Sequence, residues 1–260
     1  MSRSAHPART APVRAAVVTG AVAALMAGLT ACGASAGDDS DPERRSFALQ
    51  GRTLTVDSDD SALDLVSADV DEVRVTRWFQ GRVVMGGEPR ITWEMKDDRL
   101  KLRKRCSGFI SQCAARHRIE VPRGVAVVVK DGDGSVTAKG FGESLDIRTE
   151  DGSVRVTDST GPLKLHTGDG SVHAVGIESR DVRATTRDGS VRLEFGVVPD
   201  LVEADSDDGS VTIGLPRETY DVTAETDDGA VDVSVPDDKS SDHVVTARSE
   251  DGSVTVRTAN

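Results

Sequence analysis

The sequence predicts an all-β protein built as a right-handed parallel β-solenoid, and three observations support this fold class. Valine occurs 35 times and leucine only 14 times, and β-branched side chains suit strands better than helices. One short motif recurs seven times at a nearly constant spacing, which indicates a repeat architecture. Only eight of the 260 residues are aromatic, so neither a large helical bundle nor an aromatic-lined enzyme cleft is expected.

The first 32 residues follow the pattern of an export signal. A basic stretch precedes an uncharged segment at 15–28, which is too short for a permanent membrane helix and fits a cleaved signal peptide. The tetrapeptide at 29–32, Leu-Thr-Ala-Cys, resembles the bacterial lipobox, whose cysteine is diacylated and becomes the mature N terminus. This resemblance implies a lipoprotein anchored through Cys32, by two acyl chains of the palmitate kind, to the outer face of the cell membrane. An ordinary signal peptide with an incidental cysteine is the alternative.

The rest of the chain divides into three parts. Residues 33–45 are rich in Ala, Ser, Gly and Asp and are predicted to form a flexible spacer. Residues 46–123 contain runs of alternating apolar and polar residues, which predict half-buried strands and an N-terminal β-rich cap. Residues 124–260 carry the recurring motif and are predicted to form the repeat domain.

Two further cysteines, Cys106 and Cys113, lie in the predicted cap. In an oxidising compartment, a pair that remains beside the lipid-bearing cysteine favours a disulfide. The bridge would tie the loop 107–112 between two strands and serve a structural purpose. A metal site would need more ligands, and free thiols are the remaining alternative.

Charge is distributed unevenly along the chain. The formal net charge is −12, and residues 124–260 alone carry 28 acids and 13 bases. Such a surface would repel nucleic acid phosphates. Residues 99–123 instead hold eight basic residues and one acid, with Arg103, Lys104 and Arg105 in succession. This segment is either a patch for anions or anionic lipid, or a solvated strand face that balances the acidic half.

The motif Asp-Gly-Ser-Val, once Asp-Gly-Ala-Val, recurs at spacings of 18, 18, 19, 20, 20 and 23 residues. Such a period indicates stacked structural units. Glycine suits a turn that needs positive φ, and Asp can accept hydrogen bonds from backbone amides there. The predicted repeat turns are Asp133-Gly134, Asp151-Gly152, Asp169-Gly170, Asp188-Gly189, Asp208-Gly209, Asp228-Gly229 and Asp251-Gly252.

Apolar or small residues alternate on both sides of each turn. Ile147 and Thr149 precede one turn, and Val154 and Val156 follow it, so each repeat predicts two short strands with one face inward. An Asp-Gly hairpin would pair Thr149 with Val154 in antiparallel strands. A solenoid would instead use the glycine as a corner and stack about seven coils of 18–20 residues in parallel. The solenoid is the prediction, and stacked antiparallel hairpins are the alternative.

The pattern resembles a known bacterial family, the putative-adhesin domain of unknown function built from β-strand repeats. The resemblance covers about residues 46–260. It depends on the strand-rich N-terminal part, the Ile-Glu-Val-Pro-Arg-Gly segment at 119–124 and the serial Thr-x-Asp-Gly-Ser-Val units. It implies an exported, often tethered protein without an established activity. This chain has Asp-Gly-Ser where the family commonly has Ser-Gly-Asp, which keeps the turn and shifts the acid.

No catalytic constellation, phosphate loop or dinucleotide motif is found in the sequence, so neither enzymatic activity nor a cofactor is predicted. His166 and His173 flank the third turn and could face each other across it as metal ligands, although incidental surface histidines are the simpler interpretation. Acids adjacent to the turns could form a stripe that binds Ca²⁺ weakly, since Ca²⁺ prefers six to eight oxygen ligands. Turn chemistry explains the same aspartates without a metal.

These features together predict a non-enzymatic envelope lipoprotein that acts as a scaffold or adhesin-like contact surface for an envelope protein or glycan. The alternative is an envelope sensor or regulatory protein that uses the basic patch. A polysaccharide-active enzyme is a third hypothesis, which depends on fold analogy alone. The excess of 25 arginines over 7 lysines indicates a GC-rich genome, and a GC-rich Gram-positive bacterium is the predicted source.

Overall fold

The computed structural model describes residues 41–259. The predicted signal peptide, Cys32 and most of the spacer lie outside the described residues. Within residues 41–259 the chain forms 21 β-strands and no helix, so the all-β prediction is confirmed. This range accordingly has no helix that could cross a membrane.

Strands occupy both the N-terminal part and the repeats. The strands before the repeats are β1 (Glu43–Phe47), β2 (Thr53–Ser58), β3 (Ala62–Ala68), β4 (Val73–Gly86), β5 (Arg90–Lys96), β6 (Arg99–Arg105) and β7 (Gly108–Pro122). Those of the repeats are β8 (Ala126–Asp131), β9 (Val136–Lys139), β10 (Leu145–Asp151), β11 (Val154–Thr157), β12 (Leu163–Asp169), β13 (Val172–Ile177), β14 (Asp181–Asp188), β15 (Val191–Phe195), β16 (Leu201–Asp208), β17 (Val211–Leu215), β18 (Asp221–Asp228), β19 (Val231–Val233), β20 (Val244–Asp251) and β21 (Val254–Thr258).

The strands form two sheets, here named sheet A and sheet B. Sheet A has the order β1-β4-β7-β3-β9-β11-β13-β15-β17-β21-β19, and sheet B has the order β18-β20-β16-β14-β12-β10-β8-β2-β6-β5. Even-numbered repeat strands lie in sheet B and odd-numbered ones in sheet A. Each repeat therefore forms one coil, which passes from sheet B to sheet A at its Asp-Gly turn.

Neighbouring coils pair in parallel and in register. Leu145 is opposite Leu163 in sheet B, and Val154 is opposite Val172 in sheet A. The two sides of one turn, Thr149 and Val154, lie in different sheets and do not pair. The parallel β-solenoid is thus confirmed and the stacked hairpins are wrong. Because every repeat carries the same inward pattern, each strand pairs with its counterpart in the next coil instead of its neighbour in sequence.

The core lies between the two sheets and consists of columns of small apolar side chains. One column in sheet A contains six valines that are 0% exposed, Val136, Val154, Val172, Val191, Val211 and Val254. A facing column in sheet B includes Ile147, Leu165, Ala184 and Ala204. Side chains that repeat at the strand spacing of about 4.8 Å fill the narrow space between the sheets, which explains how the protein packs with few aromatics.

Stacking order differs from chain order at both ends of the solenoid. The coil β20–β21 lies between β16–β17 and β18–β19, although it follows both in sequence. Similarly, the coil β2–β3 lies between β6–β7 and β8–β9. The parallel stack thus extends beyond the repeats into the N-terminal part. Strands β18 and β19 form one end, where Val231 and Val233 are 46% and 38% exposed.

Antiparallel strands form the other end. β4 pairs with β7, β5 with β6 and β1 with β4, all antiparallel. The Arg77 guanidinium lies 4.4 Å from the ring centre of Trp93 and pairs with Glu43 at 2.6 Å. Strand β1 begins at Glu43, inside the predicted spacer 33–45, because pairing with β4 and this ion pair order the chain there.

Candidate functional site

Close stacking of the coils explains the turn glycines. A Cβ on Gly152 would lie 2.3 Å from the carbonyl oxygen of Gly134, and a Cβ on Gly209 would lie 2.0 Å from that of Gly189. Among the seven turn glycines of the described chain, only Gly189 and Gly209 have positive φ. The expectation that positive φ explains all seven is therefore wrong. Glycine is needed because the backbones of neighbouring coils approach too closely for a side chain.

A ladder of buried hydroxyl groups runs beside the glycines. In six of the seven repeats, the Thr or Ser two positions before the motif aspartate donates a hydrogen bond to a turn glycine of the adjacent coil. The pairs are Thr149–Gly134, Thr167–Gly152, Thr186–Gly170, Ser206–Gly189, Ser249–Gly209 and Thr226–Gly252, with distances between 2.7 and 3.3 Å. The ladder satisfies carbonyl groups at the corners and fixes the register of the coils.

Asp131 interrupts this ladder in the first repeat. It lies opposite Thr149 and is 7% exposed. Its Oδ2 accepts a 2.7 Å hydrogen bond from the Gly134 amide, whereas its Oδ1 and the Oγ of Ser58 find no partner among the described residues. Burial raises the pKa of Asp131 to about 7. Alignment of the seven repeats reveals this acid where the others carry Thr or Ser, a signal the sequence analysis missed.

The motif aspartates stack in register along one corner. The column is Asp151, Asp169, Asp188, Asp208, Asp251 and Asp228, and all six are exposed. Arg187 bonds to Asp169 at 2.6 Å and holds the pKa of that carboxyl below its usual range. The neighbouring carboxyl of Asp208 raises the pKa of Asp188. Exposure to solvent and the pairing of Arg187 with Asp169 therefore moderate the repulsion.

No metal centre forms at these acids in the described part of the chain. Residues 41–259 contain no group of three or more His, Cys, Asp or Glu arranged to hold a metal ion. The alternative of weak Ca²⁺ binding at the turns is addressed by the calcium experiment in the Discussion.

The histidines are separated by the fold. His166 lies on β12 in sheet B and His173 on β13 in sheet A. The Nδ1 of His166 is 2.7 Å from the Thr185 hydroxyl, and that of His173 is 2.9 Å from Arg155. The expectation that the two histidines face each other is wrong, because the turn between them crosses from one sheet to the other.

His117 is a buried histidine at the N-terminal end of the stack. It is 0% exposed, and neither ring nitrogen has a hydrogen-bond partner among the described residues. Burial, with a smaller effect from the nearby Arg77, lowers its pKa to about 4. The imidazole is therefore neutral at physiological pH.

The predicted disulfide between Cys106 and Cys113 is present. Its Cα atoms are 6.5 Å apart, and it joins the end of β6 to the interior of β7. The segment 107–112 is not a loop as expected, since β7 already begins at Gly108. The bridge thus reinforces a short connection between the two sheets.

Two of the basic residues at 103–105 interact with nearby acidic residues. Arg103 pairs with Asp57 at 2.9 Å, and the Lys104 ammonium donates to the backbone carbonyl of Asp60 at 3.0 Å. Arg105 is exposed. Strand alternation directs successive side chains to opposite faces, so the three do not form one continuous patch. Acids of the neighbouring β2–β3 coil balance this segment, and not those of the repeat domain.

A cleft of about 530 Å³ lies across β1, β4 and β7 on sheet A, and it is named the arginine cleft here. It is lined by Arg44, Arg74 and Arg118 together with Trp78, and Glu120 is its one acidic lining residue. Neither Arg44 nor Arg74 has an ion-pair partner among the described residues. The antiparallel register brings these distant positions together, so the sequence pattern could not reveal the cleft. Its excess positive charge suits an anion.

Comparisons with known proteins address the fold and family. The family model described as Toastrack DUF4097 matches residues 104–260, which include all seven repeats. A solved structure of a putative cell adhesion protein from Clostridium sporogenes covers 84% of this chain and 100% of its own, with 13% identity and a TM-score of 0.36. No curated protein matches the chain.

Proposed function

Because the chain belongs to the Toastrack DUF4097 family, we propose that it is a non-enzymatic scaffold of the cell envelope with an adhesin-like contact surface. The hydroxyl ladder carries this proposal. It fixes the register of the coils, so the outward side chains form straight rows about 4.8 Å apart. Regular, open rows suit contact with an extended partner better than enclosure of a substrate.

The positions of Asp131 and His117, whose pKa values are both strongly shifted, support a non-enzymatic function. Catalytic groups of this kind normally meet in one cleft. Asp131 lies on β8 in sheet B, and His117 lies on β7 in sheet A. Both are buried. Asp131 occupies the position of the ladder hydroxyl in the first repeat, and His117 lies opposite Arg77 on the neighbouring strand.

The proposal includes attachment to the outer face of the membrane through a diacylated Cys32. The lipobox-like tetrapeptide at 29–32 supports it. The test compares the wild type with Cys32→Ser by radiolabelled palmitate incorporation and membrane fractionation. Loss of both label and membrane association is expected. The variant C106S/C113S, which keeps Cys32, should retain both, and a labelled C32S protein would overturn the anchor.

Contact with an envelope partner is tested on intact cells that carry the full-length chain. Cross-linking should capture the same protein or glycan from independent preparations. The variant G189A, predicted below to disturb coil stacking, should lose this capture if it depends on the ordered rows. Absence of any reproducible product from the wild type would contradict the contact-surface function.

Anion sensing is a second candidate function, and the arginine cleft favours it over the residues at 103–105. Arg44 and Arg74 lack ion-pair partners among the described residues, whereas Arg103 and Lys104 have acidic neighbours. The test is binding to vesicles with and without phosphatidylglycerol. R44E/R74E should reduce binding to the anionic vesicles more than R103E/K104E/R105E. Equal binding by all three proteins would exclude this function.

A further inference from the structure

We propose that the outer face of sheet B across β8, β10, β12 and β14 binds a linear acidic polysaccharide. The proposal rests on the contact-surface function and specifies the class of its partner. This surface is named the basic groove. Its basic side chains are Lys130, Arg148, Lys164, His166, Arg183 and Arg187.

The strand register arranges these side chains in rows along the stack. Lys130 lies opposite Arg148, and Arg148 lies opposite His166. A second row places Lys164 opposite Arg183. Members of a row are one coil apart, about 4.8 Å, so Lys130 and His166 are separated by about 9.6 Å. An extended chain lying along the stack would therefore meet a basic side chain at successive coils.

A depression in the surface follows the same direction. A cleft of about 600 Å³ is lined by Lys130, Arg148, His166 and Arg187 among others, and one of about 240 Å³ shares Arg148 and His166 with it. Gly168 lies in the lining of the larger cleft. A Cβ there would be 2.6 Å from the Glu150 carbonyl oxygen and 3.0 Å from Arg187 Nη2. Glycine thus keeps the groove open between its flanking side chains.

Several cations of the groove are available to a ligand. Lys130 and Lys164 are exposed and have no ion-pair partner among the described residues. The arginines are exposed. Arg148 pairs with Asp146 at 3.0 Å and Arg187 with Asp169 at 2.6 Å, while Arg183 pairs with Glu203 at 2.9 Å and lies 4.0 Å from Asp181. A guanidinium offers five N–H donors, so one or two carboxylates leave donors free for a ligand.

The basic groove lies within a domain that is acidic as a whole. Beyond β14 the charge of the outer face of sheet B becomes negative. The outward acids of β16, β20 and β18 are Glu203, Asp205, Asp207, Glu250, Glu225 and Asp227. An anionic ligand is thus attracted to one half of sheet B and repelled by the other. This reversal limits the site to about four coils.

The exposure of the cations favours a polymer over a small ion. A single exposed ion pair contributes only about 0.2–1 kcal/mol, so useful affinity requires several contacts on one ligand. Asp146, Glu150 and Asp151 lie between the cations, which disfavours a polyanion without hydroxyl groups, such as polyphosphate. They can instead accept hydrogen bonds from hydroxyl groups. A chain with spaced carboxylates and hydroxyls between them fits this alternation.

Binding of the mature full chain to polygalacturonate, measured by calorimetry, tests the proposal. K130Q/K164Q should weaken binding about tenfold, since two exposed contacts are lost. K139Q/R155Q removes two exposed charges from sheet A and is the matched control, with affinity expected to stay within twofold of the wild type. Monomeric galacturonate and neutral dextran should not bind measurably.

Four outcomes would overturn the inference: no binding to polygalacturonate, equal loss in both double variants, equally tight binding of the monomer, or tighter binding of duplex DNA of matched charge. The last would show attraction to charge alone. The cross-linking test of the contact surface separates the two proposals. If K130Q/K164Q still captures the envelope partner while polygalacturonate fails to bind, only the polysaccharide assignment is lost.

Discussion

The hydroxyl of Thr186 donates a 2.7 Å hydrogen bond to the carbonyl oxygen of Gly170 in the adjacent coil. The same hydroxyl lies 3.3 Å from the carbonyl oxygen of Gly168. One hydroxyl group thus donates to carbonyl oxygens at the corner of the neighbouring coil, which the hydrogen bonds between strands do not reach. The repetition of this relationship along the stack leads to the stability predictions that follow.

Replacement of Thr186 by valine should destabilise the protein by about 1–2 kcal/mol, since a buried carbonyl loses its donor while the side-chain shape is kept. Urea unfolding measures the change. Thr212→Val, on the half-exposed outer face of β17, is the control and should change the free energy of unfolding little. Equal effects of the two substitutions would contradict the importance of the ladder.

Gly189→Ala should destabilise by at least about 2 kcal/mol, because the new methyl group meets backbone and the residue has positive φ. The added Cβ would lie 2.3 Å from the Gly170 carbonyl oxygen, at a φ of 149°. Thermal unfolding measures the loss. Gly87→Ala is the control, since nothing lies within 4 Å of its added Cβ. A near-neutral Gly189→Ala would refute the close-stacking explanation.

Asp131→Thr, which restores the ladder hydroxyl, should stabilise the protein more at pH 8 than at pH 4. The folded pKa of Asp131 is about 7, above the ordinary value of 3.8. The stability from its protonated form is complete below about pH 4 and is lost as the pH rises through 7. The difference in gain between the two pH values should be roughly 2–4 kcal/mol.

Urea unfolding of the wild type and of Asp131→Thr at pH 4 and pH 8 tests this prediction. Thr137→Val, at a half-exposed position of β9, is the control; it replaces no titratable group and should change stability equally at both pH values. A gain from Asp131→Thr that is equal at both pH values would show that burial of the carboxylate is not the cause.

His117→Leu should stabilise the protein more at pH 5 than at pH 8. The folded pKa of His117 is about 4, below the ordinary 6.5. As the pH falls from 6.5 towards 4, the unfolded chain gains a proton that the folded chain does not, so stability is lost. The leucine variant should avoid about 2 kcal/mol of this loss at pH 5. Thr212→Val, at a half-exposed position of β17, replaces no titratable group and should change stability equally at pH 5 and pH 8.

Calcium is expected to leave the melting temperature unchanged, because no three acids of residues 41–259 converge on a metal position. Differential scanning calorimetry with excess Ca²⁺ and with chelator provides the measurement. NaCl at matched ionic strength is the control for screening of the aspartate column. A rise with Ca²⁺ alone would establish a cation site and overturn this prediction.

The sequence predicted the local structure of the repeats well. Alternation around Ile147 and Val154 identified the strands, because a period of two directly reflects which face is buried. The period of the motif identified the coils. The outward rows also follow from the sequence once the register is known, but the register itself depends on pairing between coils.

Long-range pairing could not be predicted. The inward residues of the coils are nearly interchangeable, so nothing in Val211 or Val254 reveals that their strands pair while β19 lies outside them. The coil β2–β3 lacks the Asp-Gly motif, which concealed its place in the stack. The arginine cleft depends on the antiparallel register of three strands, and the pairing of Arg103 with Asp57 joins strands that are distant in sequence.

The inserted position of β20–β21 restricts how this protein can change in length. Both strands of that coil already pair on each side, so a duplicated unit appended after the C terminus finds no unpaired edge beside them. Truncation before β20 removes an interior layer and separates β18–β19 from the rest of the stack. We therefore expect repeats to be gained or lost among the coils that precede β18, while the coils β18–β19 and β20–β21 are kept together.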